Sequence, residues 1–163
     1  MSVKQTIRYG AMALATAGLA LAGPASAQYR QKISHDPGRC NSGASVKINI
    51  SGIKSSSGKI RVQSYRGTNA EWLEKGKWIN RIELPARAGS MTVCMPLPGA
   101  GVYGIAVRHD VNGNGKTDLR SDGGGMSNNP SINIFNLGKP SYKKVQFSVG
   151  NSPSSISISM KYM

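Results

Sequence analysis

Acidic residues are scarce in this chain, 7 against 21 basic ones over 163 positions, and it has only two histidines and two cysteines. So few soft donors argue against a thiolate metal site, which normally takes four. Long apolar runs are missing too. The longest, Ala11 to Ala22, falls short of the roughly twenty residues a membrane span requires. Helical periodicity is nearly absent, apart from a short turn around Asn69 to Lys75, and aromatics make up only 6% of the chain. No G-x-S-x-G elbow occurs, and the carboxylates available for paired acid–base work, Asp110, Asp118 and Asp122, all fall in one segment. Catalysis is therefore not expected.

What is present begins with a leader. Lys4 and Arg8 precede the Ala11–Ala22 run, which ends in Ala25-Ser26-Ala27, the pattern of a signal peptide over residues 1–27. The expected product is exported, periplasmic or extracellular. Removing the leader takes two bases and no acid, leaving a formal charge of +12 from the +14 of the whole chain. About 136 residues rich in Gly and Ser suit one small β domain, with residues 28–44 as a leader segment and 45–163 as the domain proper. Cys40 and Cys94 are expected to pair, because exported chains with an even cysteine count usually do so; two buried thiols are the alternative. Closing that loop stabilises by about 4 kcal/mol in the chain-entropy treatment.

Short alternations of apolar and polar residues mark the strands. Val46, Ile48 and Ile50 are followed, after Ser55-Ser56-Ser57-Gly58, by Ile60 and Val62, which reads as a hairpin. Met91, Val93 and Met95 form the next set, then Tyr103, Ile105 and Val107, then Val145, Phe147 and Val149, and last Ile156, Ile158, Met160 and Tyr162. A weak strand lies near Trp78 to Leu84. About seven such strands bury their apolar faces against a second sheet, giving an all-β antiparallel sandwich, immunoglobulin-like or transthyretin-like. Trp72 and Trp78 are expected to cover one end of its core. His109, in phase with Tyr103, Ile105 and Val107, is expected at the core's edge with a hydrogen bond to loop backbone.

The segment from His109 to Asp118 sets oxygen side chains at alternate positions around Gly113 and Gly115, as calcium loops do. Asp110, Asn112, Asn114, the Lys116 carbonyl and Asp118 occupy positions one, three, five, seven and nine; position twelve is Ser121, with Asp122 next. Such a set would hold calcium weakly. The competing reading is a run of Asx-turns with the glycines at positive φ, ordered without any ion. Beyond it, Gly123-Gly124-Gly125 and Ser127 to Pro130 read as a long mobile connection with a short strand at Ile132 to Phe135. A ligand would be sought where that connection meets the Asp110 loop.

Together with that loop, Leu97-Pro98-Gly99, Val102 to Val107, Gly125-Met126-Ser127-Asn128-Asn129 and Pro140-Ser141-Tyr142 carry a resemblance. From Val46 to Tyr162 the chain resembles the bacterial exported domain-of-unknown-function family 2141. That resemblance implies a signal peptide and a compact β-sandwich, with no established activity to transfer. Leu119 to Gly124 stands where the resemblance implies Pro and Glu.

Outward positions of the expected strands carry Lys47, Lys59, Arg61, Arg108, Lys144 and Lys161, with no acid among them. A basic sheet face of this kind attracts polyanions such as envelope polysaccharide or lipid headgroups, with strong salt dependence. Nucleic acid is not expected, since Tyr65 is the only outward aromatic available as a stacking platform. A solvated face that merely prevents edge association is the other reading. The sequence thus points to a small exported binding or structural module of the envelope with a weak calcium loop. The alternatives are a basic polyanion binder without metal and, less favoured, an enzyme using residues 110–142.

Overall fold

The computed structural model describes residues 29–133 and 138–163. The leader assigned to residues 1–27, and Ile134 and Phe135 of the short strand expected in the long connection, lie outside them. Where alternation is clean, strands form. In β2 (Ser45–Ile53), Val46, Ile48 and Ile50 are at most 1% exposed while Lys47 and Asn49 face solvent. β3 (Lys59–Arg66), β4 (Asn80–Pro85), β5 (Gly89–Pro96) and β6 (Gly101–Asp110) repeat the pattern, and each fully buried isoleucine contributes about 1.5–3 kcal/mol. A two-residue strand, β1 (Gln31–Lys32), precedes them. After them come β7 (Gly123–Met126), the single-turn helix α1 (Tyr142–Val145), β8 (Phe147–Val149), β9 (Pro153–Ser159) and β10 (Lys161–Tyr162).

The strands form two sheets. One runs β1-β4-β3-β6-β7-β10, with β8 also on β6; the other runs β5-β2-β9. Their inward faces share a core of Val46, Ile48, Ile50, Val93, Met95 and Ile158 against Ile60, Val62, Ile82, Tyr103, Ile105 and Val107. Both sheets are mixed, because β1 runs parallel to β4 and β9 parallel to β2, where uniformly antiparallel pairing was expected. Residues 29–44 do more than carry a cysteine, since β1 extends the larger sheet. The Cys40–Cys94 disulfide, with Cα atoms 5.7 Å apart, ties this segment to the outward side of β5.

Several local expectations change. β2 and β3 do not form a hairpin: β2 pairs with β5 and β9, β3 with β4 and β6, so Lys54–Gly58 is a corner between sheets. Alternation reports which face is buried and not which strand is the partner. Gly58 makes that corner, at φ +72, where a Cβ would lie 1.9 Å from the Asp110 carbonyl oxygen. The glycine run 123–125 is not a mobile loop but β7. Its lack of side chains lets Tyr162 pack on Gly123 and Ile158 on Gly125, where added Cβ atoms would approach to 2.4 and 2.7 Å. Val145 lies in α1, and the final alternation splits between β9 in the smaller sheet and β10 in the larger. Finally, Trp72 and Trp78 join Tyr65, Met126 and Val145 in a second apolar cluster on the outward side of the larger sheet. Tyr65, expected to be exposed, is 5% exposed and meets Trp72 edge to face.

Candidate functional site

The Asp110 loop closes on itself. Asn112 Oδ1 accepts from Asn114 N–H (3.1 Å), and Asn114 Oδ1 from Lys116 N–H (2.7 Å). Asp110 Oδ2 accepts from Gly115 N–H (2.9 Å), and Asp122 accepts from Val111 N–H (3.1 Å) and Asp118 N–H (3.0 Å). Gly113 and Gly115 take φ of +70 and +79, so the backbone follows consecutive Asx-turns. Asn112 and Asn114 both donate side-chain N–H to Asp118 Oδ2, at 2.8 and 2.7 Å, and these bonds hold the Asp118 carboxyl below its usual range. Asp110, Asn112, Asn114 and Asp118 therefore do meet in one small loop, with Asp122 anchoring its base. A cation of the protein's own also serves it: Arg108 donates to Gly115 O (2.9 Å), Thr117 Oγ1 (2.9 Å) and Asp110 Oδ2 (3.3 Å). The second carboxylate oxygen of Asp110, in a side chain 5% exposed, has no hydrogen-bond partner.

His109 and the Ser127-Asn128-Asn129 motif serve as clasps. The Lys54 N–H donates to the Tyr162 hydroxyl (3.0 Å), which donates in turn to His109 Nδ1 (2.7 Å). Since the Ser57 carbonyl only accepts, Nε2 carries the ring hydrogen in the 2.8 Å bond to it. Ser127, 0% exposed, donates to Val145 O (2.5 Å) and accepts from Ile105 N–H (3.0 Å). Asn128 and Asn129 take positive φ; the first donates to Gln146 O (2.9 Å), while the second bridges to β9 by donating to Ser157 O (3.0 Å) and accepting from Ser159 N–H (2.8 Å). Both ring nitrogens and the serine hydroxyl are thus engaged in joining strands.

A cationic row crosses the outward face of the larger sheet. Register places Glu83, Arg61, Arg108, Gly124 and Lys161 side by side on β4, β3, β6, β7 and β10. Like charges directly opposite repel, and here Arg61 faces Arg108. Glu83 compensates the first, receiving Arg61 Nε at 2.6 Å, and Asp110 the second. Burial raises the Glu83 pKa, but the Arg61 hydrogen bond and the charges of Arg61, Arg81 and Lys32 outweigh it and hold the carboxyl below its usual range. Burial, then Arg61, lowers the Arg108 guanidinium. Glu83 corrects the expectation that no acid shares this face. Of the other basic positions, Lys47 belongs to the smaller sheet and Lys144 to α1.

Beside the row lies an open cavity of about 290 Å³. Its floor is Gln63, Ala106, Gly124 and Met126; Leu73, Leu119, Ile132 and the C-terminal Met163 bring apolar carbon to it, and Arg61, Arg108, Lys139 and Lys161 bring charge. The meeting of the Asp110 loop with the long connection was legible as a place to look, since Thr117, Leu119 and Asp122 border this cavity. Leu73, Met163 and the Gly124 gap were not, because they come together only through the β3–β6–β7–β10 register.

No curated protein and no solved structure matches the chain. A family model matches residues 48–157, which include most of β2, all of β3 to β8, the Asp110 loop, the Ser127-Asn128-Asn129 clasp and most of β9. The chain accordingly belongs to DUF2141, a family of uncharacterised proteins conserved in bacteria.

Proposed function

We propose that the protein is an exported, non-catalytic binding module of the cell envelope whose ligand-bearing surface is the outward face of the larger sheet, where it takes an anionic envelope component. The observation that carries this reading is the Arg61–Arg108–Lys161 row beside a cavity. Lys161 has no ion pair among the described residues, so an anion there would displace no counter-charge. Export is supported by the leader sequence and by the Cys40–Cys94 bond, which persists in oxidising compartments. Among the described residues no helix is long and apolar enough to cross a membrane. The non-catalytic reading is supported by the structural engagement of Ser127 and His109, the best candidates for nucleophile and base.

The test is salt elution of the mature protein from immobilised heparin, used as a polyanion probe. Arg61→Gln with Lys161→Gln is expected to lower the eluting salt well beyond the effect of the control pair Lys47→Gln with Lys116→Gln, which removes the same charge elsewhere. Equal effects from the two pairs would mean diffuse attraction, with no binding face.

A second reading, calcium held by the Asp110 loop, rests on the unpartnered Asp110 oxygen at the base of a loop that also carries Asn112, Asn114 and Asp118. Hard cations recruit such oxygens. Among the described residues no group of three or more His, Cys, Asp or Glu side chains is placed to hold a metal, so the amide and backbone carbonyl oxygens would supply most ligands. A rise in Tm with millimolar calcium over chelator, abolished by Asp110→Ala, supports it; identical Tm values contradict it.

A further inference from the structure

The chemistry around the cavity narrows the ligand class, resting on the reading of the outward face as the binding surface. Among the described residues only three large hydrophobic side chains are exposed, Val102 at 43%, Leu119 at 47% and Met163 at 48%, and two of them border this cavity. Apolar carbon left in water around a concave surface marks a place where something apolar is received. The charge is segregated from it. Arg61, Arg108 and Lys161 lie in one cross-strand row, with Lys139 apart from it and paired with Glu74, and the next row, Gln63, Ala106 and Met126, is uncharged on β3, β6 and β7, its β4 member Arg81 lying outside the cavity lining. Between Arg108 and Lys161 the row has a gap at Gly124, where no side chain fills the space. Arg108 keeps one donor unused, its Nε being buried without a hydrogen-bond partner.

We propose that this cavity binds a single-chain anionic amphiphile, such as a fatty carboxylate or an alkyl phosphate. Its headgroup lies over the Gly124 gap between Arg108 and Lys161, and its chain runs against Met126, Ile132, Leu119 and Met163. A polar anion would leave those apolar walls in water, and a neutral chain would leave Lys161 without a partner. The volume, about 290 Å³, is at the lower end for ligand pockets, so it takes one chain of modest length and not a diacyl lipid.

Gly124 supplies a clean test. A Cβ there would meet nothing nearer than Ile132 Cδ1 at 4.0 Å, so Gly124→Val is accommodated in the strand while filling the cavity floor. Calorimetric titration of the mature protein, below the micellar concentration, would compare dodecyl phosphate, butyl phosphate, inorganic phosphate and the uncharged dodecyl maltoside. Saturable binding of dodecyl phosphate is expected, at least tenfold tighter than the other three. Gly124→Val should lose it with Tm undiminished, and Lys161→Gln should weaken it several-fold. Dodecyl phosphate binding no tighter than butyl phosphate, or unaffected by Gly124→Val, overturns the amphiphile while leaving the anion-binding face intact if the heparin result holds. Equal binding of the maltoside overturns the role of the cationic row. No binding of any probe, together with no effect of the Arg61/Lys161 pair on heparin, removes both.

Discussion

Replacing Ser127 by Ala removes one oxygen that satisfies two main-chain groups inside the protein. The hydroxyl accepts from Ile105 N–H and donates to Val145 O, and Ser127, Ile105 and Val145 are all 0% exposed. Leaving a buried donor or acceptor unpaired costs about 1–3 kcal/mol each, and small shifts of α1 recover part of that, so we expect a loss of about 3 kcal/mol. For a domain of this size the melting midpoint should drop by about 10 °C. Urea unfolding of the oxidised protein measures it directly, the midpoint falling while the slope stays constant. A loss under about 0.5 kcal/mol would refute the clasp and return Ser127 to the list of residues free for chemistry.

Three further perturbations follow the same logic. Tyr162→Phe takes the only partner that His109 Nδ1 has among the described residues from a side chain that is 0% exposed and should cost about 2 kcal/mol in urea, the exposed Lys54 N–H turning to water; an unchanged midpoint contradicts the bridge. Gly58→Ala forces a side chain into left-handed φ and against the Asp110 backbone, so a product with Tm lowered by more than about 10 °C, or no folded product, is expected, and a near-native melt would contradict the corner. Burial pushes the Tyr65 hydroxyl up to about 12, with Arg81 and Arg61 opposing only in part. Its folded pKa exceeds the unfolded value near 10, so stability is full below about pH 10 and falls by about 2–3 kcal/mol as pH rises through about 12. Tyr65→Phe should flatten that alkaline limb, and a limb of equal steepness would contradict it.

Faces were legible in the sequence, partners were not. Val46, Ile48 and Ile50 announce a strand with one buried side, and they are buried, but nothing in their spacing says that β2 joins β5 and β9 and not β3. The disulfide was legible because an even cysteine count behind an expected leader constrains it more than fold does. The Asp110 loop was legible as a run of Asx-turns around Gly113 and Gly115, whereas Arg108 reaching back to clamp it was not, since that contact needs the strand's outward face to be known. The glycines of β7 misled because the same absence of side chains permits both a flexible connection and a strand against which Tyr162 and Ile158 pack. The cationic row needed four registers at once, each set by tertiary pairing and invisible to local periodicity.

The central claim, that ligand is taken on the outward face of the larger sheet, is tested most directly by amide chemical-shift mapping of residues 28–163 during titration with dodecyl phosphate. The account predicts saturable shifts concentrated at Arg61, Ala106, Arg108, Gly124, Met126 and Lys161, with Lys47, Asn49 and Thr92 on the smaller sheet unmoved. Shifts concentrated on the smaller sheet, or scattered and unsaturable over the surface, would contradict it.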